Sequence, residues 1–251
     1  MEHIIGKEII HLAATDSTNN YANGQMKEKE VSEGTVFLAY EQTSGRGQLK
    51  NFWESEPGKN LTFSVVVYPD FLEIRRQFML SKVVVLGIYK ALYKYVDHLK
   101  VKWPNDIYAG DQKLGGILIE NSIMYGLLKS SVIGIGLNIN QTAFKSNAPN
   151  PVSLQNLTNK HYDCEAILAE VISGINWYYD LLRKGEEDQI DMEYISHLYR
   201  LNETCKYRSE NEVFEGEIIG VNEIGQLLIR RNDGKILDFH FKEVEFLRIG
   251  Q

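Results

Sequence analysis

Cysteine is scarce in this chain. Only Cys164 and Cys205 occur among 251 residues, and they form no CxxC pair. A disulfide scaffold and a thiolate zinc site are thereby excluded, and two reduced thiols are expected. The six histidines are scattered without an HxH or HExxH cluster, so no resident metal is expected. No apolar run approaches the roughly 18 residues of a membrane span. The opening residues, Met1-Glu2-His3-Ile4-Ile5-Gly6-Lys7-Glu8, carry acids and lack the apolar segment of a secretory signal, and a cytoplasmic protein is expected. Positive charge is in deficit: the net charge is −7, which argues against a general nucleic-acid binder. There is no GxxxxGK[ST] phosphate loop and no GxSxG elbow, which removes two large enzyme classes. Internal repeats and low-complexity tracts are also missing.

What is present is an ordinary globular composition, 43% hydrophobic and 24% charged, at a length that suits one medium domain with a small appendage. Strands are expected at Ile9 to Leu12, Gly34 to Glu41, Leu61 to Tyr68, Val101 to Tyr108, Lys113 to Ile123 and Leu128 to Asn138. The polar run Thr15 to Asn20 is suited to capping a helix. Ile74, Phe78, Val85, Ile88, Leu92 and Tyr95 recur at helical spacing and predict a long helix from about Glu73 to Val96. Thr43 to Glu56 and Gln141 to Lys160 read as loops. Asp163 and Gly185 bracket a helix with an apolar stripe, and another is expected near Gln189 to Leu201. After Asn202 short alternating strands take over, with Asp233-Gly234 as a hairpin turn and Leu237, Phe239 and Phe241 on one face. These last residues fit a small SH3-like barrel, giving domains at 1–202 and 203–251.

Four short stretches carry chemistry. Gly45-Arg46-Gly47 lies in a loop between two strands; its glycines admit close backbone approach and its arginine suits a phosphate, although many loops contain such a triplet. Lys102-Trp103-Pro104-Asn105-Asp106 interrupts an apolar strand with two charges and a proline, as an edge strand with a salt bridge also would. Lys113-Leu114-Gly115-Gly116 opens a strand with a lysine and two glycines, marking either a ligand's approach or a bulge. Gly134-Ile135-Gly136-Leu137-Asn138 repeats the theme at a strand end, where the asparagine either reads a base edge or caps a turn. If the strands are neighbours, their ends form an apolar pocket with a phosphate-binding mouth.

These motifs, in this order and spacing, together with Asp16-Ser17-Thr18-Asn19, Glu41-Gln42-Thr43-Ser44 and Trp53, resemble the biotin–protein ligase family, from about Ile9 to the end of the chain. The resemblance implies an α+β fold: a mixed-sheet catalytic domain related to class II aminoacyl-tRNA synthetases, followed by an SH3-like domain. It implies an enzyme that forms biotinyl-5'-AMP from biotin and ATP with Mg²⁺, then transfers biotin to a lysine on the biotin carboxyl carrier domain of acetyl-CoA carboxylase or a related carboxylase. Some relatives also carry a DNA-binding domain and repress transcription; here the motifs begin at residue 16, and no DNA or membrane partner is expected. A lipoate–protein ligase or octanoyltransferase of the same fold is the nearest alternative. A non-catalytic binder of biotin or its adenylate is another.

By the same resemblance, Ser17, Thr18, Asn19 and Gln42 bind the biotin head, with Gly45, Gly115, Gly116 and Leu118 lining its pocket. Arg46 and Lys113 meet the carboxylate and α-phosphate. Lys50, Trp53, Lys102, Asn105 and Asn138 attend the nucleotide, with Trp53 against the adenine and Asn138 at its edge. Asp106 lies near the incoming lysine as an orienting group or base. One departure stands out: between Gly47 and Trp53, where relatives are rich in Arg and Gly, this chain reads Gln48-Leu49-Lys50-Asn51-Phe52. Lys50 is the one cation there, so the loop's grip on phosphate is expected to be weaker, with Arg46 as the main anchor.

Overall fold

The computed structural model describes residues 3–48, 51–145, 150–210 and 212–247. Seven strands, β1 (Ile9–Leu12), β2 (Val36–Ala39), β3 (Leu61–Val67), β4 (Leu99–Lys102), β5 (Asp106–Ala109), β6 (Gln112–Met124) and β7 (Leu127–Leu137), form one sheet in the order β1-β2-β3-β7-β6-β5-β4. β1 and β2 are parallel and the other neighbours antiparallel, so the sheet is mixed.

Alternation along the central strands gives the two faces different chemistry. Phe63, Val65, Val67, Ile133, Ile135 and Leu137 point into the main core. There they meet α2 (Phe78–Leu92) and α4 (Cys164–Arg183). These two helices cross at a pair of glycines: a Cβ on Gly174 would lie 2.3 Å from the Gly87 carbonyl oxygen. α5 (Glu187–Ser196) is tied to α2 by the buried Lys82, whose ammonium lies 2.7 Å from Asp191. Removing the half-exposed aspartate would leave the buried ammonium without its partner. The opposite face carries α1 (Thr18–Glu28) over a smaller cluster that includes Ala22, Phe37, Val66 and Val132. Beyond that cluster the same face of β3, β6 and β7 bears small residues: Ser64, Gly116, Gly134 and Gly136. In the ladder Gly116 pairs with Gly136, and Leu118 with Gly134. A shallow floor results beside the start of α1.

Several boundaries differ from those expected. The long helix begins as a 3-10 turn, Ile74–Arg76, and α2 itself ends at Leu92; Val96 keeps the periodicity because it is buried, although the chain has already turned. The segment from Val101 to Tyr108 is not one interrupted strand. It is the β4–β5 hairpin, with Trp103-Pro104-Asn105 at the turn and a cis Trp103–Pro104 bond. Within the expected loop 141–160 lies α3 (Leu154–Thr158), started by a reciprocal Ser153/Asn156 capping box. α5 stops at Ser196, and Leu198 and Leu201, on either side of a turn, then make isolated bridges to Val101 and Ile218. Asp163 does cap α4, accepting from the Glu165 amide, and Gly185 follows at φ +77°.

The C-terminal strands β8 (Thr204–Ser209), β9 (Glu212–Val221), β10 (Leu227–Arg231), β11 (Ile236–Phe239) and β12 (Glu245–Phe246) make an antiparallel sheet ordered β11-β10-β9-β8-β12. Asp233-Gly234 forms the β10–β11 turn, with Gly234 at φ +85°. Phe241 lies past the strand and is partly exposed, whereas Phe239 is buried. The core of this sheet, including Tyr207, Ile218, Leu227 and Ile229, is continuous with that of the larger sheet. At the seam Trp103 Nε1 donates to the Gly225 carbonyl at 2.9 Å.

Candidate active site

A cavity of about 780 Å³ opens over the glycine floor, between the start of α1, the loop around Arg46, the β4–β5 turn and the C-terminal sheet. Of the residues singled out in the sequence, Ser17, Thr18, Asn19, Gln42, Arg46, Trp53, Lys102, Asn105, Asp106, Lys113, Gly116 and Leu118 line it. Their convergence follows from topology: β6 and β7 are central, and α1 and the β4–β5 turn flank one face.

At the α1 end the lining is polar and buried. Gln42 Oε1 accepts from the Thr18 amide at 2.8 Å and from the Thr18 hydroxyl at 3.2 Å. It thereby caps the helix in place of Ser17, whose side chain makes no capping bond. Ser64 on β3 lies 2.7 Å from both Thr18 Oγ1 and Asn19 Oδ1. Asn19 donates to Glu120 at 2.9 Å and packs on Gly134, where a Cβ would meet its Oδ1 at 2.3 Å. Asp16, just before the helix, has its pKa held below the usual carboxylate value, chiefly by the Asn20 amide.

Of the cations, Arg46 stands beside the start of α1, and Lys113 and Lys102 stand at the β4–β5 turn. Lys113 is ion-paired with Asp106 at 2.7 Å, and its ammonium stands 5.8 Å from the Trp53 ring. Arg46 reaches Glu120 Oε1 at 2.7 Å and donates from Nη1 to Asn20 Oδ1 at 2.7 Å. Trp53 lies on Gly136, where a Cβ would come within 2.4 Å of the indole. The Trp53 indole N–H is buried and has no partner among the described residues. Asn105 pins the turn to β6, giving its side-chain amide to the Ile117 carbonyl while its own carbonyl accepts from the Ile117 amide. Lys102 points among aromatic rings, and burial pulls its pKa below the ordinary lysine value, with Asp106 acting in the opposite sense.

Other expected residues sit elsewhere. Gly45 is under the loop, where a Cβ would strike the Trp53 carbonyl at 2.4 Å. Gly115 turns toward Leu137 on the core side. Neither lines the cavity, and nor does Asn138. Asn138 is buried and donates to the Val152 carbonyl at 3.1 Å, while its Oδ1 has no partner among the described residues. Lys50, with Leu49, lies outside the described residues. Residues that the sequence did not single out are Ser64, Glu120, Tyr108, Asp111, Tyr199 and Phe246. A lone serine, acid or aromatic carries no local signature; these matter through contacts made across the fold.

Comparison with known proteins agrees with this geometry. Residues 12–138 match the model of the biotin/lipoate A/B protein ligase family. A bifunctional ligase/repressor BirA from Bacillus subtilis is 28% identical over 240 residues, covering 92% of this chain and 72% of that protein. A biotin–[acetyl-CoA-carboxylase] ligase from Paracoccus denitrificans is 29% identical over 232 residues, covering 89% of this chain and 95% of that one. The solved biotin protein ligase from Aquifex aeolicus, in complex with biotin and ATP, superposes with a TM-score of 0.80 at 28% identity, covering 97% of this chain and 100% of the other. The matched segment spans the α1 entry, the Arg46 loop, the β4–β5 turn and the glycine floor, and the chain belongs to the biotin/lipoate A/B protein ligase family.

Proposed function

We propose that this chain is a biotin–protein ligase, which joins biotin to ATP as biotinyl-5'-AMP and passes the biotinyl group to a lysine of a carrier domain. The observation that carries the proposal is the cavity's polarity: a buried hydrogen-bonding cup at the start of α1, with Arg46 beside it and Lys102 and Lys113 at the β4–β5 turn. A neutral ureido ring needs donors and acceptors, which Ser17, Thr18, Asn19 and Gln42 supply. The carboxylate and the α-phosphate need positive charge where they meet. The likeness to ligases named for biotin and for acetyl-CoA carboxylase extends the proposal to the acceptor, a biotin carboxyl carrier domain.

In the first step a carboxylate oxygen attacks the α-phosphorus, the bond to the β-phosphate oxygen breaks, and pyrophosphate leaves. Two anions must approach, so cations already in place lower the barrier. Arg46 and Lys113 are held ready by Glu120 and Asp106 and exchange those carboxylates for substrate oxygens. Trp53 flanks the adenine, its indole N–H available to the base or ribose. Asn138 comes to the adenine edge only by giving up its bond to the Val152 carbonyl, and Lys50 is assigned as a secondary phosphate contact of the loop. No cluster of three or more acidic, histidine or cysteine ligands occurs among the described residues, so Mg²⁺ is assigned to the nucleotide and enters as MgATP.

In the second step the carrier lysine attacks the acyl carbon and AMP leaves. A free lysine has a pKa of about 10.4, so the amine must lose a proton. Asp106 is placed to take it or to orient the amine once Lys113 has turned to phosphate. We also assign the larger sheet to the class II synthetase type and residues 203–251 to an SH3-like domain. Biotin-dependent exchange of labelled pyrophosphate into ATP tests the proposal. Exchange supported better by lipoate or octanoate contradicts the substrate, and absence of exchange with any of them leaves a binding protein.

A further inference from the structure

Lys102 differs from Arg46 and Lys113, two other cations of the cavity. Arg46 and Lys113 each rest on a carboxylate. The ammonium of Lys102 rests among rings, 4.6 Å from the centroid of Tyr108, 5.2 Å from Phe246 and 5.9 Å from Tyr199. It donates to the Tyr108 hydroxyl oxygen at 3.1 Å. Among the described residues no carboxylate lies within 4.0 Å of it. The rings come from three parts of the chain: Tyr108 from β5, Tyr199 from the segment after α5, and Phe246 from β12 of the second sheet. Each of the last two is braced. The Tyr199 hydroxyl donates to Asp111, and the Arg200 guanidinium lies 5.0 Å from its ring. Phe246 meets Tyr207 edge-on at 5.5 Å.

A carboxylate partner would neutralise this lysine and compete with an incoming phosphate. Ring faces hold a cation through their quadrupoles and remove none of its charge. We infer that Tyr108, Tyr199 and Phe246 form a positioning box that holds the Lys102 ammonium fixed and without a paired carboxylate, so that the second sheet governs the rate of adenylate formation. The inference rests on the reading of Lys102 as a cation that faces the nucleotide. Tyr108, Tyr199 and Phe246 act through Lys102. Burial in the box lowers the Lys102 pKa and so works against the ammonium, while its charged surroundings are mixed: Asp106 and Asp111 favour the ammonium, and Lys113 and Arg200 oppose it.

The test uses the full chain. Phe246→Leu keeps an apolar filling and removes the ring. It is expected to slow single-turnover adenylate formation by about 3- to 30-fold, the range of a cation–π contact, with KM for biotin unchanged and the rate restored in Phe246→Tyr. In a Lys102→Ala background the same change is expected to add nothing, because the ring acts through the lysine. An equal loss in both backgrounds gives Phe246 a packing role only and overturns the inference. NMR of protein labelled at the lysine ε-carbons gives an independent reading. The ε-methylene signal that disappears in Lys102→Ala is expected upfield of the other lysines and moves toward them in Phe246→Leu. Without an upfield signal the box does not exist, while the proposed function stands. An upfield signal combined with undiminished adenylate formation in Lys102→Ala removes Lys102 from the nucleotide site, and the inference falls with that assignment.

Discussion

Replacing Gly136 with alanine perturbs the floor of the cavity at one defined point. Gly136 sits in β7 with no positive φ, so its backbone accepts alanine without strain. The added Cβ would lie 2.4 Å from Trp53 Cε2 and 2.7 Å from Nε1, where ordinary contact begins at 3.4 Å. The indole must therefore recede by about 1 Å, and a misplacement of that size costs on the order of 10²-fold in rate. The fold loses little, since alanine recovers about 0.4–1 kcal/mol of unfolded-state entropy against the displaced ring. The expected variant melts within about 4 °C of the parent, the shift that roughly 1 kcal/mol produces at this size. Its kcat/KM for ATP in pyrophosphate exchange is expected to drop about 100-fold, with little change in KM for biotin. Unchanged kcat/KM in a folded variant would remove Trp53 from the nucleotide site. Unfolding would show that Gly136 serves the sheet and not the ligand.

Three further outcomes are expected. Lys113→Ala lowers adenylate formation by about 10²-fold or more, while circular dichroism shows an intact fold; a collapse in melting temperature instead makes the Asp106–Lys113 pair structural. His197 stacks on Tyr89 at 3.8 Å, and burial holds its pKa below the ordinary value of about 6.5. The unfolded chain then binds the proton more readily, so this contribution to stability is complete above that value and is lost as pH falls below it. The melting temperature of His197→Phe is accordingly expected to vary less between neutral and acid pH than that of the parent, and parallel curves would contradict the assignment. Truncation after Asn202 removes Tyr207, Ile218, Leu227 and Ile229 from a continuous core and takes the Gly225 carbonyl from Trp103. The shortened chain is expected to melt well below the full one and to lose adenylate formation, and a fully active fragment would refute the coupling of the two sheets.

Periodicity located the central strands because they carry both a buried apolar face and a small-residue face, and glycines inside β6 and β7 stood out against it. The same logic misplaced the region around Lys102. Val101 and Ile107 alternate as though in one strand, and a single turn at Trp103–Asn105 leaves that pattern intact while reversing the chain. α3 was invisible because five residues of helix show no period, only the Ser153/Asn156 cap. Within the site, the motif residues converge because their strands are adjacent. What local sequence does not display is partnership across the fold. Glu120 is a strand residue until Arg46 reaches it, and Phe246 is one aromatic among many until β12 brings it to Lys102. Asn138 shows the converse: a motif position next to the glycine floor, yet with its side chain turned to Val152.

Mass spectrometry of a biotin carboxyl carrier domain, incubated with the full chain, biotin and MgATP, tests the central claim most directly. A shift of one biotinyl group at a single lysine is expected, dependent on all three additions and appearing about 10²-fold or more slowly with Lys113→Ala. An unshifted carrier under conditions that sustain biotin-dependent pyrophosphate exchange, or a shift obtained with lipoate in place of biotin, would contradict it.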